Sequence, residues 1–185
     1  MLIMKNIKIL LITICSILLF QHVTAQTYYY SPSSVFKNVN GSSVTYICSE
    51  KIKGGVYLYN QSNTLTFVRQ NKTDGSKMSV EGDRYYTVPS NMTSVIRNTI
   101  NSYLTAADKK RVIGYTLDVS LYIDSNTGTV KEVRFHFLTN EGFATIPPER
   151  YYLIEMMLKR DFKVNMLPEG KKLNYNILTY PYSYW

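Results

Sequence analysis

The sequence predicts an α+β protein: a small β-meander over residues 26–88, followed over residues 89–185 by two helices laid on a three-stranded antiparallel sheet. Three observations carry this. Residues 115–137 alternate apolar and polar side chains around a glycine turn, the period of paired strands with one buried face. Residues 95–104 and 151–162 instead carry apolar stripes at helical spacing. A length of 185 residues suits one compact domain, or one domain with a small appendage.

At the N-terminus, Lys5 and Lys8 precede an apolar run from Ile9 to Phe20, and Val23-Thr24-Ala25 offers modest side chains before Gln26. The expectation is a signal peptide over residues 1–25, removed on export to the periplasm or cell surface. The run is shorter than the roughly 20 residues that cross a bilayer. Ile14 before Cys15 speaks against lipid attachment, which needs a small residue there. Cleavage lowers the net charge from +8 to +6 and leaves His136 and Cys48 as the only histidine and thiol. No intramolecular disulfide can then form, so the core must stabilise the fold.

Strand-like runs follow at Val44–Cys48, Val56–Tyr59, Thr64–Arg69 and Arg84–Val88, separated by Gly54-Gly55, Asn60-Gln61-Ser62-Asn63 and Asp74-Gly75. Their tyrosine-rich lead, TYYYSPSSV, reads as extended chain. After Pro89, Ser90 or Asn91 can cap a helix whose stripe is Val95, Ile96, Thr99, Ile100, Tyr103 and Leu104. Thr105 and Asp108 have capping-box spacing and restart a helical turn.

The hairpin comes next. Tyr115, Leu117, Val119, Leu121 and Ile123 share one face, Asp124 to Gly128 make the loop, and Val133, Phe135 and Phe137 alternate with Glu132, Arg134 and His136. Pro147 and Pro148 suit a helix start, with Tyr151, Ile154, Met157, Leu158 and Phe162 on one side and a Glu155–Lys159 pair on the other. Leu167-Pro168-Glu169-Gly170 ends that helix. Leu173, Tyr175 and Ile177 begin a last strand that runs into TYPYSYW.

The order helix, strand, strand, helix, strand from Ser90 to Tyr184, with Asp124 and Gly128 turning Tyr115–Ile123 back onto Val130–Phe137, resembles the C-terminal domain of TonB-type energy-transducing proteins. The mature chain, including VYLYNQSNTLTFV, also resembles a family of secreted proteins of Gram-negative gut anaerobes that carry a domain of unknown function. TonB itself keeps an N-terminal membrane helix and a long proline-rich spacer; the six prolines here build no such spacer. The resemblance implies a fold and, as a mode of action, capture of a partner strand at the edge of the last strand.

Catalysis has little to draw on. Histidine-dependent nucleophilic chemistry would have to use His136, which the alternation places on the polar face of the hairpin as a surface residue. Cys48, in VTYIC, reads as a small buried hydrophobe. Zinc-ligand spacing and glycine-rich phosphate loops are absent, and Lys53-Gly54-Gly55 reads as a turn. Asp118 and Glu132 could meet on the open face of the hairpin as a hydrolytic carboxylate pair, although solvated sheet charges account for them equally. The expectation is a protein that is not an enzyme and holds neither cofactor nor metal.

Binding has more to recommend it. Seventeen tyrosines give the chain many amphipathic rings. The candidate binding residues are Tyr175, Ile177, Tyr180, Tyr182, Tyr184 and Trp185, on a final strand whose unpaired N–H and C=O groups could accept a further strand; Pro181 removes one donor. Lys109-Lys110-Arg111 and Lys171-Lys172 read as solvated helix ends and turns, not as a nucleic-acid surface. The expected partner is an envelope or cell-surface protein. The alternative is a glycan, held by exposed tyrosines and Trp185. A terminal tryptophan also suits an outer-membrane barrel, but two helices leave too few strands to close one.

Overall fold

The computed structural model describes residues 27–52, 54–76 and 85–185, so the expected signal peptide and Arg84 lie outside the described residues. The strands are β1 (Val35–Phe36), β2 (Tyr46–Ile52), β3 (Gly55–Asn60), β4 (Tyr86–Thr87), β5 (Thr116–Ile123), β6 (Val130–Leu138), β7 (Asn165–Met166) and β8 (Asn176–Ser183). The helices are α1 (Met92–Tyr103), α2 (Ala106–Val112), α3 (Pro148–Asp161) and the single turn α4 (Pro168–Lys171). No helix among the described residues is long and apolar enough to cross a membrane.

The fold is mixed α+β, and its sheet is larger than the three strands expected. Six strands pair antiparallel in the order β1-β2-β3-β6-β5-β8, while β4 and β7 form a small separate ribbon. The meander is therefore no separate layer. Val56 and Leu58 of β3 align with Phe137 and Phe135 of β6, so an apolar row runs from one strand set into the other. One such row, Cys48, Leu58, Phe135, Val119 and Tyr180, crosses five strands and is buried along its whole length.

The helices cover this inner face. Ile96 and Ile100 of α1 and Tyr151, Ile154 and Leu158 of α3 join the same core as Phe135 and Phe137. The Tyr151 ring stacks on Phe137 at 5.5 Å between centroids, and its hydroxyl donates to the Phe143 carbonyl at 2.8 Å. Such a fully buried ring is worth roughly 1.5–3 kcal/mol by area. Between α1 and the hairpin, Thr105 and Asp108 form the capping box their spacing predicts, with bonds of 2.9 and 3.1 Å.

The structure departs from the sequence reading beyond the sheet as well: α3 stops at Asp161, ahead of the expected end at residues 167–170, where β7 and α4 follow instead. Residues 64–69 form turns rather than a strand, because the buried Glu132 carboxylate accepts from the backbone N–H groups of Thr64 at 2.6 Å and of Leu65 at 2.9 and 3.0 Å. Tyr115 lies before β5 and is exposed, since Gly114 at φ +79° turns the chain ahead of it. Glu155 is buried rather than solvated: Tyr46 of β2 and Lys159 both donate to its carboxylate, and burial and that charge together hold the Tyr46 hydroxyl well above the usual range.

Gly128 in the hairpin loop is required by a close approach. Its φ is +74°, and a Cβ there would sit 2.1 Å from the Val164 carbonyl oxygen. That contact pins the loop to the segment after α3, where the Val164 N–H donates to the Gly128 carbonyl at 2.9 Å.

Candidate functional site

The two edges of the sheet differ. On the β2 side the chain before β1 folds over the edge, with Cys48 N–H donating to Ser34 and Ser33 N–H to Cys48. On the other side β8 pairs with β5 alone. Two facts say which of its backbone groups point outward. The Tyr86 hydroxyl donates to the Ile177 carbonyl at 2.8 Å from outside the sheet, and Pro181, at the same alternation, has no N–H to give to β5. Odd positions therefore face out. Thr179 and Ser183 offer both backbone groups on this edge, Pro181 offers its carbonyl, and the carbonyl of Ile177 is already occupied.

The side chains of the expected site divide between core and surface. Tyr180 and Tyr182 point inward with the even positions of β8, and the Tyr182 hydroxyl donates to Asn101 at 2.5 Å. Burial pushes that hydroxyl up to about 12. Tyr175 is buried as well, donating to the Val68 carbonyl at 2.5 Å. These three rings are not available as contact surface. Ile177 and Tyr184 are half-buried, whereas Trp185 is 83% exposed.

Beside Trp185 the structure places two residues that the sequence reading did not select. Ile113 forms a parallel bridge with Tyr184 and is 54% exposed; Tyr115, two residues on, is 37% exposed. The available signal was an apolar residue on each side of Gly114, between helix and hairpin. With Trp185 they make an apolar border at the end of the β8 edge.

The outer face of the sheet carries the remaining polar groups. At one end, residues 61–76 lie on it: Thr66 accepts from Tyr122 and Arg134 at 3.4 Å each, and Phe67 packs edge-on against Tyr59 at 5.2 Å. The other end is open and holds a cleft of about 300 Å³ lined by Tyr115, Thr116, Asp118, His136 and Glu141 among others. His136 Nδ1 lies 3.0 Å from Asp118 Oδ2 and 3.4 Å from Lys51 Nζ, and its ring meets Tyr57 edge-on at 5.6 Å. Arg134 stacks over Tyr57 at 4.0 Å. Burial pushes the Glu141 carboxyl up, an effect His136 partly offsets.

This arrangement does not assemble the catalytic sets considered above. Asp118 stands opposite His136 and Glu132 opposite Tyr122, two same-face rows apart with Ser120 and Arg134 between them, and Glu132 is engaged by Thr64 and Leu65. Cys48 is buried on the inner face while His136 lies on the outer one, and burial pushes the thiol up to about 12. Among the described residues, no group of three or more His, Cys, Asp or Glu side chains could hold a metal.

Comparison with known proteins gives a family and a fold. Residues 26–180 match the family model described as Domain of unknown function (DUF5043). The structure is similar to the crystal structure of a DUF5043 family protein from Bacteroides uniformis ATCC 8492 at 1.85 Å resolution, with a TM-score of 0.76 and 28% sequence identity. That match covers 85% of this chain and 94% of the other. No curated protein matches the chain.

Proposed function

The chain belongs to the DUF5043 family, a domain of unknown function, and on that premise we propose that it is an exported, non-enzymatic interaction module of the periplasm or cell surface. It takes an extended segment of an envelope or cell-surface protein as a further strand on β8. The observation that carries this reading is the outward set of backbone groups at Thr179, Pro181 and Ser183. The resemblance of residues 90–184 to the TonB C-terminal domain suggests this mode of binding.

Magnitudes say what else the partner must contact. Five outward groups at about 0.5–1.5 kcal/mol each give less than the roughly 8 kcal/mol of a micromolar complex. The apolar border of Ile113, Tyr115 and Trp185 supplies the remainder.

Thr179→Pro tests the reading. It removes an outward N–H and, with the side chain, the 3.2 Å hydroxyl contact to Ser120 of β5, while the backbone pairing between β5 and β8 stays in place. Tagged mature protein, crosslinked in the native cell envelope, should enrich an envelope protein that Thr179→Pro loses and that Thr179→Val, which lacks only the hydroxyl bond to Ser120, keeps. Equal capture by both would reject the edge.

The exposure of Trp185 favours glycan binding as a second reading. Titration of polysaccharides against the fluorescence of this single tryptophan tests it, and a flat response across a broad panel removes it.

A further inference from the structure

We infer that the β8 edge selects an extended segment bearing a lysine or arginine, whose cationic head enters the cleft between Asp118 and Glu141 while an apolar neighbour covers Trp185. The inference rests on the edge reading above and adds the chemistry of the partner.

The cleft belongs to the same surface as the edge. Pro181 stands opposite Asp118 and Ser183 opposite Thr116, whose hydroxyls lie 3.1 Å apart. A strand added to β8 would lie about 4.8 Å beyond it, hence about 10 Å from β5. Only a long side chain covers that distance, and the exposed Pro181 ring puts no extended side chain in its path.

Charge decides which long side chain it is. The chain is basic overall, at +8, so an acidic cleft is a local exception. Glu141 makes no ion pair within 4.0 Å among the described residues, although it is half-buried. The nearby basic groups are engaged elsewhere: His136 against Asp118, Arg134 on Tyr57 and Thr66, Lys51 beside His136 and Tyr57. A half-buried carboxylate with no ion pair of its own, its burial offset only in part by His136, gains from a cation that arrives with the ligand. The Tyr115 ring offers the apolar stem and charged head of that side chain a surface.

The test uses a phage-displayed library of random twelve-residue peptides selected on the immobilised mature protein. The enriched peptides should share a lysine or arginine at a fixed spacing from an aromatic or aliphatic residue. Replacing that residue by glutamine should weaken binding about fivefold on the wild-type protein and less than about twofold on Glu141→Gln. Binders without a basic residue that still depend on Thr179 would overturn the cation inference and leave the edge reading intact. Binders indifferent to Thr179→Pro, or no binders, would remove both.

Discussion

The two faces of the one sheet are covered by different physics. The inner face is buried by helices whose apolar stripes meet apolar rows, so many individually weak contacts share the load. The outer face is half covered by residues 61–76, an irregular segment held largely by polar bonds: Glu132 to the amides of Thr64 and Leu65, Tyr122 to Thr66, Tyr175 to Val68 and Gln70 to the Tyr175 carbonyl. Dispersion is distributed and hard to undo at one position. Hydrogen bonding is concentrated, so a single side chain can release a whole segment. The half of the outer face beyond that segment stays open, and the cleft and the β8 edge share it.

Substitutions can break or sharpen this contrast. The largest effect is expected at the centre of the inner face, where Phe135→Ala should cost about 3–5 kcal/mol and lower the melting temperature of the whole domain in one transition. A loss confined to part of the sheet would show that the strand halves do not share a core.

Glu132→Ala should cost less, about 1–3 kcal/mol, because it leaves the Thr64 and Leu65 amides without their acceptor. Hydrogen exchange should quicken within residues 61–76 while β5 and β6 keep their protection. Equal quickening everywhere would contradict the separation of the two faces.

Tyr175→Phe should cost about 0.5–1.5 kcal/mol, since it removes one bond to Val68 and keeps the ring in place. The change should appear as a small shift in denaturant midpoint with an unchanged slope.

Alkaline titration should affect both faces alike. Burial pushes Cys48 from 9.0, and Tyr182 on the inner face and Tyr122 on the outer face from 10.0, up to about 12. The folded state thus holds these protons more tightly than the unfolded one. Their contribution is whole below about pH 9 and is lost as pH rises through about 12. Stability measured against pH should fall across that window, and thiolate appearing near pH 9 in the folded protein would show that Cys48 is open to water.

The hairpin, both main helices and the Thr105–Asp108 capping box were legible because each is written in local spacing: alternation for β5 and β6, a helical stripe for α1 and α3, three residues between cap partners. The strand expected at Thr64–Arg69 failed for a complementary reason. Thr, Leu, Thr and Phe in succession favour a strand, but Glu132, far along the chain, offers a carboxylate that holds the segment in turns. The candidate site was legible as a strand and illegible as a surface. Alternation could say that Tyr180 and Tyr182 share a face, while only the helices packed on that face say that it is the buried one.

By itself, the sequence determined β5, β6, α3 and β8 and their order, because periodicity, caps and turn residues act over a few positions. Only the tertiary structure decided that β3 joins β6 to make one sheet, that β8 is an edge, that Ile113 and Tyr115 border the end of that edge, and that Glu141 lines the same cleft as Asp118. Each of these joins residues distant in sequence, and such pairings depend on register and on what covers each face, which no local pattern encodes.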